Sequence, residues 1–198
     1  MIINKTRLAT AGFVFATMAL SPVQAEDHSG TYAFDRDGAH QFVQFKIGHL
    51  GFSYLYGRFN DFDGQFVYDG ENPEKSSVNV TVQTSSVDSN HTKRDEHLRS
   101  EDFLFVDEYP EATFSSTSIA MHSDDHAIVT GDLTLRGVTR EVELDMKMVG
   151  AGEDPWGSDR MGFEGTTTLT LKDFGIPEDL GPSAQNVEMI LSVEGIRQ

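Results

Sequence analysis

The sequence predicts an all-β fold of eight or nine antiparallel strands, arranged as a sandwich or as a closed barrel. Apolar and polar residues alternate with a period of two along most of the chain, as "SVNVTVQT" (77–84) illustrates. Turn signals such as "DGENP" (69–73) and "GAGEDPWG" (150–157) separate these runs. Most connections are short, which favours antiparallel neighbours, and one apolar face per strand favours an enclosed core.

Nine runs have the length and alternation of strands. In 138–149, for example, valine, leucine and methionine alternate with polar residues. This run and the one before it are expected to form a hairpin that turns at Arg136-Gly137. The strands are expected near residues 30–35, 40–47, 58–69, 77–84, 111–121, 126–136, 138–149, 161–172 and 187–196.

The first 25 residues are typical of a secretory signal peptide. Two basic residues precede an uncharged run over 8–20, and "VQA" ends at Ala25 immediately before Glu26. The uncharged run is shorter than the about 20 residues that a membrane-spanning helix needs. We therefore expect cleavage between Ala25 and Glu26, export, and one mature domain over 26–198; a retained N-terminal anchor is the alternative.

Composition narrows the classes of partner. The 198-residue chain carries a formal net charge of −17, which argues against nucleic acid and against anionic lipid headgroups as partners. It contains no cysteine, so the fold is predicted to do without disulfides. No second long apolar segment follows the signal, and we expect no stable insertion into a membrane.

Several positions on the apolar strand faces are small. Gly64, Gly131, Gly165 and Thr167 leave out the side chains that a filled core would use. A glycine within a strand marks a bend or a close approach, and several such positions around one interior also fit a cavity. An eight-stranded barrel can be filled or can hold one small ligand, so both readings stay open.

Residues 85–105 break the alternation and predict a short helix. Thr92 and Asp95 have the spacing of a capping box, and Asp95 and Arg99 have the spacing of a supporting ion pair. Ser100, with two acidic residues after it, is expected to start a second helical turn. The helix is predicted to cover the barrel mouth with Leu98 and with the three residues of "FLF" (103–105).

The same segment is rich in ionisable residues, yet its geometry does not predict catalysis. His91 and His97 point in different directions on a helix, and a zinc site needs three or four converging ligands. The chain has neither "HExxH" nor the "GxSxG" elbow of many hydrolases. We therefore expect no catalytic residue, no metal and no cofactor.

The sequence resembles the YceI-like family of secreted bacterial proteins, also called polyisoprenoid-binding proteins. The resemblance extends over the whole mature chain. It rests on six motifs in a specific order: "HLGFSYLYGRFNDFDG" (49–64), "SSVDSNHTKRDEHLRSEDF" (85–103), "YPEATF" (109–114), "GDLTLRGVTREVEL" (131–144), "DPWG" (154–157) and "KDFGI" (172–176).

This resemblance implies an extended eight-stranded antiparallel barrel, similar in architecture to lipocalins, with the short helix near its mouth. It also implies a periplasmic protein that binds a long isoprenoid lipid, either a polyprenyl chain or a quinone tail, for carriage, storage or stress response. An enzyme acting on the bound head group is one alternative. An outer-membrane barrel is another, which charged strand faces such as that of Glu141 and Glu143 disfavour. A homodimer stays open.

The alternation and the family motifs together select the expected contact residues. His49, Arg94, His97 and Arg99 are the candidates to meet a head group, although Arg94 and Arg99 could instead pair with nearby carboxylates. The expected apolar lining of the cavity is Val43, Phe45, Ile47, Phe62, Phe66, Val80, Val82, Leu98, Phe103, Leu133, Leu144, Phe163 and Leu169.

Overall fold

A computed structural model describes residues 27–38, 40–177 and 180–198. The expected signal peptide (1–25) and its cleavage at Ala25 and Glu26 lie outside these ranges. The strands are β1 (Gly30–Phe34), β2 (Phe42–His49), β3 (Ser53–Phe59), β4 (Phe62–Tyr68), β5 (Ser77–Gln83), β6 (Val87–Asp88), β7 (Glu111–Met121), β8 (His126–Leu135), β9 (Val138–Glu153), β10 (Asp159–Thr170) and β11 (Asn186–Arg197). The α-helix is α1 (Thr92–Arg99), and 3-10 turns occupy Pro73–Lys75, Thr84–Ser86, Leu171–Phe174 and Pro182–Ala184.

The strands close into an antiparallel barrel with eight positions. Three of these positions each hold two strands placed end to end: β1 with β2, β3 with β4, and β5 with β6. The first of these pairs lies beside β11, and the second lies beside the first. Strands β7 to β11 follow in chain order. The ring closes because β11 pairs with β2 through Val187–Ser192 and with β1 through Gly195–Arg197. The expected eight-stranded barrel is confirmed, and the sandwich is wrong.

Every predicted strand has an observed counterpart, β6 was not predicted, and the two largest differences in extent concern β9 and the predicted strand over 58–69. β9 continues to Glu153, beyond the predicted limit at 149. The predicted strand over 58–69 begins earlier, at Ser53, and is broken into β3 and β4. Tyr54 and Tyr56 explain the missed residues, because their exposed rings make both faces of this segment apolar and remove the alternation.

The small positions are close approaches rather than gaps. A β-carbon on Gly131 would lie 2.5 Å from Cζ of Phe114, and one on Gly165 would lie 2.1 Å from Sδ of Met146. The ring of Phe34 covers Gly64 in the same way. Large side chains therefore lie over glycines of neighbouring strands, a packing known from designed barrels. Of the two readings left open by the sequence, close approach therefore applies at these three glycines.

The two ends of the barrel are built differently. The helix end comprises the β2–β3 turn (50–52), α1 and the β8–β9 turn (136–137). The far end comprises the β4–β5, β7–β8 and β9–β10 connections (69–76, 122–125 and 154–158). Towards the far end Tyr32 is fully buried and stacks on Phe66 with ring centroids 4.9 Å apart. Burial raises the pKa of Tyr32 to about 12, while its hydroxyl donates to the backbone oxygen of His28.

Within the described ranges, no helix has the length and hydropathy that crossing a membrane requires.

Candidate ligand-binding cavity

An elongated apolar cavity occupies the barrel interior. Its volume is about 500 Å³, within the roughly 300–1,000 Å³ of typical ligand pockets. On β8 alone the wall runs from Ala127 near the far end to Leu135 near the helix end. Those eight residue steps correspond to about 26 Å along the strand. Such a space suits a long, thin apolar ligand better than a compact one.

Twelve of the thirteen predicted lining residues lie on the cavity wall. Phe62 is the other one; it packs edge-on against Phe34, with ring centroids 6.3 Å apart, in the buried core beside the cavity. Whether the twelve contact a ligand stays a prediction. Thr167, noted above as a small inward position, also lies on the wall. The wall further includes Leu55, Val129, Leu135, Val142, Met146, Met148, Met189, Leu191 and Val193.

The alternation of apolar and polar residues also predicts most of these additional wall residues. Met189 and Leu191 have the inward parity of their strand, because β11 alternates like its neighbours. Leu55 was missed for a different reason: it lies in the part of β3 whose strand signal Tyr54 and Tyr56 obscure.

The helix near the mouth exists, but it begins differently from the prediction. Its N-cap is His91, whose Nδ1 accepts from the backbone N–H of Arg94 at 3.2 Å. The predicted capping box of Thr92 and Asp95 was therefore wrong. Asp95 is buried and accepts from the backbone N–H of Ser89 at 2.8 Å and from the Ser89 hydroxyl. This carboxylate fixes the segment before the helix rather than the helix itself.

The arginines of α1 bind the neighbouring backbone. Arg99 donates to the carbonyl oxygens of Ser85 at 2.7 Å and Val87 at 2.6 Å. Arg94 donates from Nε to the hydroxyl of Ser89 and from Nη2 to its carbonyl oxygen. The predicted Asp95–Arg99 ion pair was wrong, and so was the alternative in which both arginines pair with carboxylates. Carbonyl oxygens satisfy these guanidinium groups and tie α1 to β6 and the turn before it.

The chain after α1 closes the helix end. No second helical turn follows Ser100; residues 101–104 form turns in which Phe103 and Leu104 are buried. Leu98, Phe103 and Leu104 reach the cavity wall as predicted. Phe105 does not: its ring packs against Tyr109, with centroids 5.9 Å apart, and under the guanidinium of Arg136.

Polar groups line the cavity at both of its ends, and the two ends differ in charge. At the helix end His49, Arg94 and His97 lie on the wall, whereas Arg99 does not. His97 is placed 3.1 Å from a carboxylate oxygen of Asp102 and edge-on to Phe103. The far end instead presents Ser76, Ser77, Asp124, Asp125 and His126. The helix end therefore offers hydrogen-bond donors to an acceptor group, whereas the far end carries carboxylates.

One acidic group among the described residues has the spacing of a metal site. Asp35, His40 and Glu194 hold potential ligand atoms within 4.8 Å of one another. Arg160 donates to both of these carboxylates, at 2.6 Å and 2.5 Å. The guanidinium thus already neutralises the carboxylates that would attract a cation there, and it lowers the pKa of Asp35.

A closed barrel around an elongated apolar space, with the ionisable wall residues that the structure describes at its two ends, is a protein built to hold one apolar molecule. This chain belongs to the YceI-like family, whose domain matches residues 32–195. It is 51% identical over 197 residues to a UPF0312 protein of Pectobacterium atrosepticum, covering 100% of both chains. The predicted family membership is confirmed.

Solved structures agree on the fold. A YCEI protein of Campylobacter jejuni superposes with a TM-score of 0.70 at 25% identity, covering 77% of this chain and 90% of that one. A polyisoprenoid binding domain from Saccharophagus degradans superposes with a TM-score of 0.63. That domain shares 14% identity, over 84% of this chain and 98% of its own, and supports the fold alone.

Proposed function

We propose that this protein is a periplasmic carrier that encloses the chain of a long isoprenoid lipid, either a polyprenyl chain or a quinone tail. The observation that carries the proposal is the elongated apolar cavity of about 500 Å³. Membership of the YceI-like family supports the same ligand class. Carriage, storage and stress response are the roles that this binding would serve after export through the cleaved signal.

Binding the tail needs no directional contacts. Each Å² of apolar surface withdrawn from water contributes about 25 cal/mol, so a long hydrocarbon gains affinity along its whole length. Because the wall is apolar between its two ends, cavity length rather than hydrogen bonding selects the ligand. No reacting group, metal or cofactor is part of this proposal.

The head group is proposed to lie at the helix end. Phosphates and quinone carbonyls both accept hydrogen bonds, and His49 and Arg94 can donate them there. Arg94 uses Nε and Nη2 to hold Ser89, which leaves Nη1 for a ligand. At the far end Asp124 and Asp125 would repel an anionic head group. Replacing His49 with Leu is expected to weaken binding of lipids with a head group and to leave binding of the bare hydrocarbon unchanged.

Native mass spectrometry of protein purified from the periplasm, followed by lipid extraction, tests the proposal. We expect one isoprenoid per chain, lost on extraction. A Leu144→Trp variant fills the cavity from the middle of β9 and should abolish the adduct while the protein stays folded. Glu143→Trp is the matched control, because the adjacent side chain is exposed on the outer surface. An adduct in Leu144→Trp equal to that of the parent, or no isoprenoid in the parent, would reject the proposal.

A further inference from the structure

The β2–β3 turn carries the most exposed apolar side chains of the helix end. Leu50 is 64% exposed and Phe52 is 88% exposed, and the rings of Tyr54 and Tyr56 are also exposed on the following strand. From 47 to 57 the chain contains no aspartate, glutamate, lysine or arginine, although 24% of the whole sequence is charged. An exposed apolar patch of this kind marks a surface that binds something.

The backbone conformation at this turn is energetically unfavourable for leucine. Leu50 has a φ of 51° and Gly51 a φ of 77°, and the turn closes with a hydrogen bond from the N–H of Phe52 to the carbonyl of His49. Left-handed backbone disfavours a branched apolar residue and suits Asn, Asp or Gly. Exposure and backbone conformation thus both favour a polar residue at position 50. A side chain that opposes both preferences is typical of a functional site.

The outer face of the hairpin changes character with distance from the turn. Along β3 the outward residues are Phe52 at the tip, then Tyr54 and Tyr56, and then Arg58. Six residue steps span about 20 Å. On the neighbouring strand Lys46 places its ammonium 4.6 Å from the ring centroid of Tyr54. Both basic residues are paired with carboxylates, Lys46 with Glu188 at 2.8 Å and Arg58 with Asp88 at 3.9 Å. An apolar tip followed by tyrosines is the order that the polar–apolar interface of a bilayer selects.

The hairpin tip adjoins the cavity mouth. His49, next to Leu50, lies on the cavity wall, and so does the half-exposed Leu180. Gly48 lets the loop that follows Leu180 approach β2 closely, since a β-carbon on Gly48 would lie 2.1 Å from the carbonyl oxygen of Ser183. A molecule entering or leaving the cavity at this end therefore passes the exposed tip.

We propose that the β2–β3 tip docks the barrel on a lipid bilayer, with Leu50 and Phe52 in the interfacial region and the helix end facing the membrane. The inference rests on the proposed function in one respect: a bilayer is where an isoprenoid ligand is taken up and released. Charge selects the type of surface, because a chain of net charge −17 is repelled by anionic lipids. Phosphatidylcholine vesicles, which carry no net charge, are accordingly the probe.

Vesicle flotation of the mature chain tests the docking. The parent should float with phosphatidylcholine vesicles. The affinity of the double variant L50N/F52S for the vesicles should be at least about tenfold lower, since two apolar side chains leave the contact. Its melting temperature should be unchanged or higher, because Asn suits the left-handed backbone at position 50. Trp156→Ser is the matched control: Trp156 is 85% exposed, lies in the β9–β10 connection at the far end, and should leave vesicle binding unchanged.

Three results would overturn docking: no flotation of the parent, equal loss in Trp156→Ser, or a dimeric parent with a monomeric double variant in solution. The last result would mean that the tip joins two copies of the chain. Loading the same proteins with isoprenoid from detergent micelles separates this inference from the proposed function. An adduct without parent flotation rejects docking alone, whereas tip-dependent flotation without any adduct rejects the carrier function alone.

Discussion

The arginines at the two ends of the barrel bind different kinds of acceptor. At the helix end Arg99 donates to the carbonyls of Ser85 and Val87, and Arg136 donates to those of Phe103 and Glu101. These acceptors are neutral backbone groups, which no pH between acid and neutral alters. The hydrogen bonds that Arg99 and Arg136 make are therefore independent of proton concentration.

At the other end a single arginine holds three carboxylates. Arg160, on β10, donates to Asp35 after β1, to Asp154 in the β9–β10 connection and to Glu194 on β11. It thereby joins segments from both ends of the chain where the barrel closes. Hydrogen bonds from Arg160 lower the pKa of Asp35 and of Asp154, and those carboxylates raise the pKa of Arg160. The difference teaches that the contacts of Arg160 where the barrel closes depend on ionised acids, whereas those of Arg99 and Arg136 at the helix end do not.

Removing Arg160 should have the largest effect. In Arg160→Met the Asp35 carboxylate, only 5% exposed, loses its charged partner and keeps the backbone N–H of Gly38. We expect a loss of about 2 to 3 kcal/mol in the free energy of unfolding, at or below the lower limit of the roughly 3–5 kcal/mol for a broken buried pair, since Arg160 is itself 24% exposed. Urea denaturation at pH 7 measures it. Arg58→Met, which removes an exposed pair 3.9 Å from Asp88, is the control and should cost under about 0.5 kcal/mol.

Lowering the pH should shrink that difference. The folded pKa values of Asp35 and Asp154 lie below the ordinary aspartate pKa of about 3.9, so their contribution to stability is present above about pH 4 and is lost as the pH falls through the folded pKa. The Arg160→Met variant lacks this contribution, so its free energy of unfolding should fall less as the pH decreases. Urea melts of both proteins from pH 7 to pH 3 should converge at the acid end. A constant gap would show that the carboxylates do not carry the effect of Arg160.

The helix end should respond less strongly and without this pH dependence. Arg136→Met removes two hydrogen bonds to backbone carbonyls, each worth about 0.5 to 1.5 kcal/mol, and should lower the free energy of unfolding by about 1 to 2 kcal/mol. The same loss is expected at pH 7 and at pH 3, because neither acceptor titrates. If the effect of Arg136→Met declined in acid in parallel with that of Arg160→Met, the proposed contrast between the two ends would be wrong.

The sequence predicts strand faces well and partners of long polar side chains poorly. Alternation decides inward parity, which is why residues such as Leu133 and Leu144 could be assigned to the wall before the structure. Arg99 and Asp95 could not be assigned, since the backbone groups they bind leave no trace in residue type. The role of Gly131 stayed open for a related reason: the ring that covers it belongs to another strand, and one strand's pattern does not contain it.

The smallest predicted effect compares two turns at the helix end. Leu50 and Arg136 both have a left-handed backbone, with φ of 51° and 52°, and both precede a glycine. Arg136 offsets that local cost through its hydrogen bonds to Phe103 and Glu101, whereas the side chain of Leu50 is largely in solvent. Leu50→Asn should therefore raise the free energy of unfolding by about 0.5 kcal/mol, and Arg136→Asn should lower it. Urea denaturation of the two single variants in the absence of vesicles provides the measurement. Destabilisation by Leu50→Asn would mean that Leu50 supports the folded barrel, and the case for an exposed docking side chain at this turn would fail.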